Sequence, residues 1–216
     1  MITFTDIYNC AFQRSPFILS QHIQEPISGI DVYMGTANDY QVIAIGPSVS
    51  VQDWVTDFEF IYDTYKYPSF LAPTLPVRAH GGYLDGWDRL RAQVLALLTP
   101  EQKIIVTGYS MGGGVSEIIA LDLGVTLKPA DLICIDWDGA RVWNRAGQTL
   151  FNTVVPKAWK VAYSNDIVSK VVPWYYHGGT FVSIGPKRVW WKWSIQDHIT
   201  AGESTIVPLL QSTTIV

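Results

Sequence analysis

The chain predicts an α/β fold: a mostly parallel central sheet flanked by helices, within a single domain. Two observations carry this. Short β-branched runs alternate with stretches of helical period, the pattern of strands buried under helices on both faces. One of those runs passes directly into a glycine-rich turn, Gly108-Tyr109-Ser110-Met111-Gly112, with a helical pattern behind it.

The elements read in order as follows. Gln41 to Ile45 (QVIAI) is a strand ended by Gly46-Pro47. Tyr67 to Pro76 holds three prolines and reads as a loop. Trp87, Leu90, Val94 and Leu97 recur at helical spacing, and Thr99-Pro100 stops that helix. Lys103 to Thr107 (KIIVT) is a buried strand, and Met111 to Leu123 is a helix with Gly124 placed as its stop. Leu132 to Trp137 and Trp159 to Ser164 are further strands, and Thr180 to Ile184 and Arg188 to Trp193 form two more around Gly185-Pro186. No element is placed before residue 40.

Composition bounds the function. With 216 residues, 48% hydrophobic and 16% charged, the chain can bury a sizeable core. A formal charge of −4 without a basic run gives nothing to neutralise phosphates, so no nucleic-acid partner is expected. Cys10 and Cys134 sit in no CxxC or Cys/His cluster, so they read as free thiols and no metal site is expected. Met1 to Ser20 has Asp6 early and lacks a basic start followed by an apolar stretch, so it does not read as a signal peptide. That favours an intracellular chain over a mature secreted one. No apolar window is long enough to cross a bilayer.

The glycine-rich turn points to chemistry. A strand entering Gly108 and a helix leaving from Met111 form the sharp elbow that strains a serine and projects its hydroxyl above a sheet. The elbow needs glycines because a Cβ would meet the neighbouring strand or helix. Gly112, Gly113 and Gly114 weaken the first helical turn by about 1 kcal/mol each relative to alanine, a cost an ordinary structural serine does not require. The Met111 backbone N–H, at a helix start, is placed to meet a tetrahedral oxyanion. Ser110 is therefore the candidate nucleophile of an α/β-hydrolase fold.

In that fold the acid and then the histidine follow the serine along the chain. The order removes His22 and His80 and leaves His177 and His198 as candidate bases. Asp166, just past the strand Trp159–Ser164, is a candidate acid, with Asp136 and Asp138 near the end of the preceding strand as rivals.

From about residue 42 to about residue 200 the chain resembles the class 3 lipases, the fungal-lipase-like branch of the α/β-hydrolases. Ile105-Val106-Thr107-Gly108-Tyr109-Ser110-Met111-Gly112-Gly113 resembles the family's VTGHSLGG elbow, and His80-Gly81-Gly82-Tyr83 its VHxGF motif. Asp53-Trp54 with Asp57-Phe58 is similar to the segment after its first oxyanion strand. Arg141-Val142 and Asn144 match part of its PRVGN segment. Ser164-Asn165-Asp166-Ile167-Val168 and Asp197-His198-Ile199 are similar to the segments that carry its catalytic acid and histidine. Tyr176-His177-Gly178-Gly179 resembles a glycine-flanked histidine that is structural there.

The resemblance implies Asp166 as acid and His198 as base. Counted back from Trp54, it implies that Ser48 supplies the oxyanion hydroxyl, with Ser50 close enough to replace it. It also places a lid in Val49 to Phe60, an apolar segment with Trp54, Phe58 and Phe60; the alternative is a short helix packed permanently on the core. The chain departs from the pattern at Tyr109, where the family has histidine. It departs again at Ala140 and Trp143 in place of Pro and Gly, and at Gly46-Pro47 in place of Arg-Gly. The expected activity is serine carboxylic-ester hydrolysis of acylglycerol-type lipid substrates, with no cofactor. Trp174-Tyr175-Tyr176 with Trp190, Trp191 and Trp193 are candidate pocket aromatics, and an aryl pocket would favour a feruloyl-type or short-chain esterase. A non-catalytic binding protein on the same fold is the reading from another class.

Overall fold

The computed structural model describes residues 2–12, 18–46, 62–65, 76–99, 102–186, 189 and 194–201. Its elements are α1 (Phe4–Ala11), β1 (Ile18–Glu25), β2 (Ile30–Ala37), β3 (Tyr40–Ile45), β4 (Tyr62–Thr64), β5 (Arg78–His80), α2 (Gly81–Leu97) and β6 (Lys103–Tyr109). After these come α3 (Met111–Thr126), β7 (Asp131–Trp137), α4 (Arg145–Val154), β8 (Lys157–Tyr163), β9 (Thr180–Ile184) and α5 (Ile195–Ala201).

Seven strands form one sheet in the order β1-β2-β3-β6-β7-β8-β9, and β4 pairs with β5 separately. β1–β2 and β2–β3 are antiparallel; the four pairings from β3 to β9 are parallel. The mostly parallel sheet flanked by helices is thus the observed architecture. The antiparallel start lies in the region where the sequence placed nothing. Its α1 has a local cause, because Thr3 and Asp6 form a capping box that satisfies the first amides of the helix. The β2–β3 turn carries Asn38 at φ 52, a left-handed conformation that asparagine tolerates.

Alternate residues of the central strands enter different cores. Ile43, Ile45, Ile104 and Val106 pack with Trp87, Leu90, Val94, Ile118 and Ile119 of α2 and α3. Val42, Ala44, Ile105, Ile133 and Ile135 pack with Ile7 and Tyr8 of α1. Burial on both faces is why these strands read as unbroken apolar runs. Leu97 departs from the expected stripe: it is exposed, as the last residue of α2.

Boundaries move at β6, which runs on to Tyr109, at β7, which starts at Asp131, and at α3 and β8. Gly124 does not stop α3, which continues to Thr126; a Cβ at Gly124 would stand 2.6 Å from Val154 Cγ1, so the glycine admits α4. The left-handed residue after the helix is Lys128, at φ 49. β8 starts at Lys157 and ends at Tyr163, because Ser164 turns to φ 45. The strand expected at Arg188–Trp193 lies, apart from Val189, outside the described residues, as does the Tyr67–Pro76 loop apart from Pro76.

Candidate active site

Ser110 stands between β6 and α3 at φ 59, ψ −123, a strained conformation for a residue with a Cβ. The strain is imposed from both sides. The Ser110 N–H donates to Trp137 O at 2.9 Å, while the Ser110 carbonyl accepts from Gly113 N at 3.0 Å in the first helical turn. The glycines make room: a Cβ at Gly108 would lie 2.2 Å from Gly112 O, and one at Gly112 would lie 2.6 Å from Ile45 O. Met111 opens α3, so its amide stands at the electropositive start of the helix.

The carboxyl ends of the parallel strands bring the other groups in. Ser110 Oγ lies 2.9 Å from His198 Nε2, and His198 Nδ1 lies 2.9 Å from Asp166 Oδ1; all three residues are buried. Asp166 follows β8 and is held by main-chain donors, Val168 N at 2.8 Å and Ser169 N at 3.0 Å. Burial works against its charge. Hydrogen bonding and charge from His198, together with the Val168 amide, outweigh burial and hold its carboxyl below the ordinary value. His177 stands elsewhere, its Nε2 2.8 Å from Ser169 O.

The rival acids have different surroundings. Asp136 pairs with buried Lys160 at 2.8 Å and accepts from Gly139 N at 2.8 Å. Beside it, burial and the Asp136 charge push the Glu117 carboxyl well above the carboxylate range. Glu117 Oε2 accepts from Trp143 Nε1 at 2.6 Å and Gly178 N at 2.9 Å, tying α3 to two loops. Asp138 lies against Asp166. Among the described residues, Glu117, Asp136 and His177, and separately Asp138, Asp166 and His198, are grouped closely enough to hold a metal ion. In the first group Lys160 occupies Asp136, and in the second backbone amides occupy both carboxyls.

The family Lipase (class 3) matches residues 42–176. The chain belongs to the class 3 lipase family. A secreted mono- and diacylglycerol lipase of Fusarium solani is 26% identical over 154 residues, covering 68% of this chain and 44% of that protein. The chain spans less than half the length of the curated relatives it matches. A Rhizomucor miehei triacylglyceride lipase superposes with a TM-score of 0.73 at 19% identity, covering 84% of this chain and 79% of that one. A triacylglycerol lipase whose catalytic centre is a serine-protease triad superposes at 0.69 and 20% identity, covering 84% and 76%. These neighbours share the α/β-hydrolase fold. A relative named as secreted lends no support to the expected intracellular location, and no helix among the described residues is long and apolar enough to cross a membrane.

The class 3 lipase motifs take these places. His80 caps α2, its Nδ1 accepting from Tyr83 N at 3.4 Å. Asn144 caps α4 through Gly147 N at 2.8 Å and also accepts from Arg78 N. Tyr109, the departure from the family's histidine, stacks on His198 and donates its hydroxyl to the His198 carbonyl. Cys10 and Cys134 are both buried, and neither is in a disulfide. Ser48, Ser50, the Val49–Phe60 segment, Trp190, Trp191 and Trp193 lie outside the described residues. Of the other aromatics, Trp174 is exposed, while Tyr175 is buried beside His80 and Tyr176 lies under Arg145. The sequence reading missed Lys160, Glu117 and the pairing of Asp138 with Asp166. A lysine and an aspartate within apolar strands (WKVAY and CIDW) were the available signal.

Proposed function

We propose that this chain is a serine carboxylic-ester hydrolase acting on acylglycerol-type esters, with Ser110, His198 and Asp166 as its catalytic triad. The observation that carries the reading is the continuous contact from Ser110 Oγ to His198 Nε2 and from His198 Nδ1 to Asp166, each 2.9 Å, behind a serine held at φ 59. Membership of a lipase family, and a relative named for mono- and diacylglycerols, support the substrate class.

Asp166 keeps the His198 proton on Nδ1, which leaves Nε2 free to accept the Ser110 hydroxyl proton. Ser110 Oγ attacks the ester carbonyl carbon, and the carbonyl electron pair moves onto its oxygen. The Met111 N–H and the Ser48 hydroxyl receive that oxyanion. Collapse expels the alcohol, which takes the proton from His198 and leaves an acyl group on Ser110. Water then repeats the sequence and releases the acid. No cofactor enters.

The test is labelling of the full chain with a fluorophosphonate, followed by mass spectrometry, beside hydrolysis of p-nitrophenyl esters of short and long acyl chains. One adduct on Ser110 with turnover, both lost in Ser110→Ala, is expected. A folded parent protein that neither labels nor turns over ester overturns the reading. Preference for long chains supports a lipase; preference for short chains moves the assignment to an esterase.

A further inference from the structure

A second buried carboxyl stands behind the proposed triad. Asp138 is the first residue after β7, and Asp166 follows the neighbouring strand β8, so adjacent strand ends bring them together. One oxygen each of Asp138 and Asp166 and one ring nitrogen of His198 lie within 4.8 Å of one another, and all three residues are buried. The placement of Asp138 is firmly specified. Its backbone is left-handed at φ 51, its N–H donates to Val161 O at 2.8 Å, and its Oδ1 accepts from Tyr163 N at 2.8 Å. Both backbone partners belong to β8, so the side chain is gripped by the strand that delivers Asp166.

Two buried carboxyls this close share a proton, because a second negative charge there would be stabilised by neither water nor a free cation. The hydrogen-bond count decides which one carries it. Asp166 accepts from two amides and faces His198, all of which favour its anion; Asp138 accepts from the single Tyr163 amide. The other ionisable groups facing Asp138 are Tyr109, a neutral phenol, and Lys160, whose ammonium is paired with Asp136. Burial and the Asp166 charge accordingly push the Asp138 carboxyl well above the carboxylate range.

We propose that Asp138 is a positioning residue of the active site: its carboxyl hydrogen donates to the Asp166 carboxylate and pins that group against His198 Nδ1. The inference rests on the triad reading above. The hydrogen bond fixes the orientation of Asp166, and it spreads the Asp166 charge so that the imidazolium formed during acyl transfer is held less tightly.

Two variants of the full chain test this. Both tolerate the left-handed backbone. Asp138→Asn keeps a donor toward Asp166 and an acceptor for Tyr163 N; Asp138→Gly removes both. The readouts are kcat, KM and the acid limb of kcat/KM for p-nitrophenyl butyrate, from about pH 5 to about pH 9. Asp138→Asn is expected to keep the parent's acid-limb midpoint and a kcat within about threefold. Asp138→Gly is expected to lower kcat roughly tenfold or more with little change in KM and to move the midpoint upward, since the unshared Asp166 charge holds the imidazolium proton more tightly. A midpoint lowered by Asp138→Asn would mean that the parent Asp138 is ionised and overturns the proposal, even if the glycine variant does not fold. A glycine variant matching the parent overturns it equally. In either case labelling of Ser110 in the parent shows that the triad reading survives, whereas an unlabelled, inactive parent overturns both.

Discussion

The Tyr109 ring lies against the His198 imidazole, with centroids 5.0 Å apart and planes 15° apart, and its hydroxyl donates to the His198 carbonyl. One side chain thus contacts both the ring and the backbone of the proposed base. Tyr109 precedes Ser110, so the end of β6 delivers the nucleophile and a brace for its partner together. Burial, with the Asp166 charge adding to it, pushes the phenol far above its ordinary range, so it remains a neutral donor.

Tyr109→Phe keeps the stack and removes the donor. The buried His198 carbonyl then loses that partner, and the expected loss is about 1–2 kcal/mol of stability with a several-fold fall in kcat. Urea denaturation and ester kinetics measure both. A variant equal to the parent in both would remove Tyr109 from the account of how α5 is held.

Lys160→Met tests the buried pair on the α3 side of the sheet. Removing the ammonium leaves Asp136 in the core beside neutral Glu117, without its 2.8 Å partner. Breaking such a pair costs about 3–5 kcal/mol. Lys160→Met with Asp136→Asn should recover much of that loss; additive losses in the double variant would show that the two side chains are not coupled.

His80 makes stability depend on pH. Burial lowers its pKa from 6.5 to about 4. Between those values the unfolded chain binds a proton that the folded chain does not, so stability is complete above about 6.5 and declines as pH falls toward about 4. The full decline is about 3 kcal/mol. His80→Asn retains a helix-capping side chain and should flatten this limb in denaturation curves taken near neutrality and at about pH 4.5. An equally steep limb in the variant would assign the acid sensitivity to other groups.

Gly112→Ala tests whether the elbow is set by close approach. The added Cβ would meet backbone, Ile45 O at 2.6 Å and Gly46 O at 2.8 Å, which no side-chain rotation relieves. Overpacking of this kind costs about 1–3 kcal/mol and would displace Ser110 from His198. Loss of ester turnover should exceed loss of stability, and wild-type turnover would show that the elbow accommodates a Cβ.

The central strands and the elbow were legible because their causes are local. Strands β3, β6 and β7 are apolar on both faces, and the turn at Ser110 needs glycines within a few residues of the strain. The first three elements were hidden for different reasons. The Thr3–Asp6 capping box is a local signal that the sequence reading passed over. β1 and β2 pair antiparallel at the side of the sheet and lack the long apolar run that marks a central strand.

The sequence by itself determined the fold class, the elbow and its serine, and a short set of acids and histidines in the order the fold requires. Chain order and spacing left the choice among them open, because each contact is made between elements far apart in the chain: His198 reaches Ser110 across 88 positions. Only the resemblance to the class 3 lipases singled out Asp166 and His198. Tertiary packing brought His198 to Ser110 and left His177 on the Ser169 carbonyl. Packing also gave three neighbouring acids different surroundings: Asp136 beside an ammonium, Asp166 among amides, and Asp138 against Asp166. Protonation and pairing depend on which charges and dipoles lie within a few ångströms, and that neighbourhood exists only once the strands have aligned their ends.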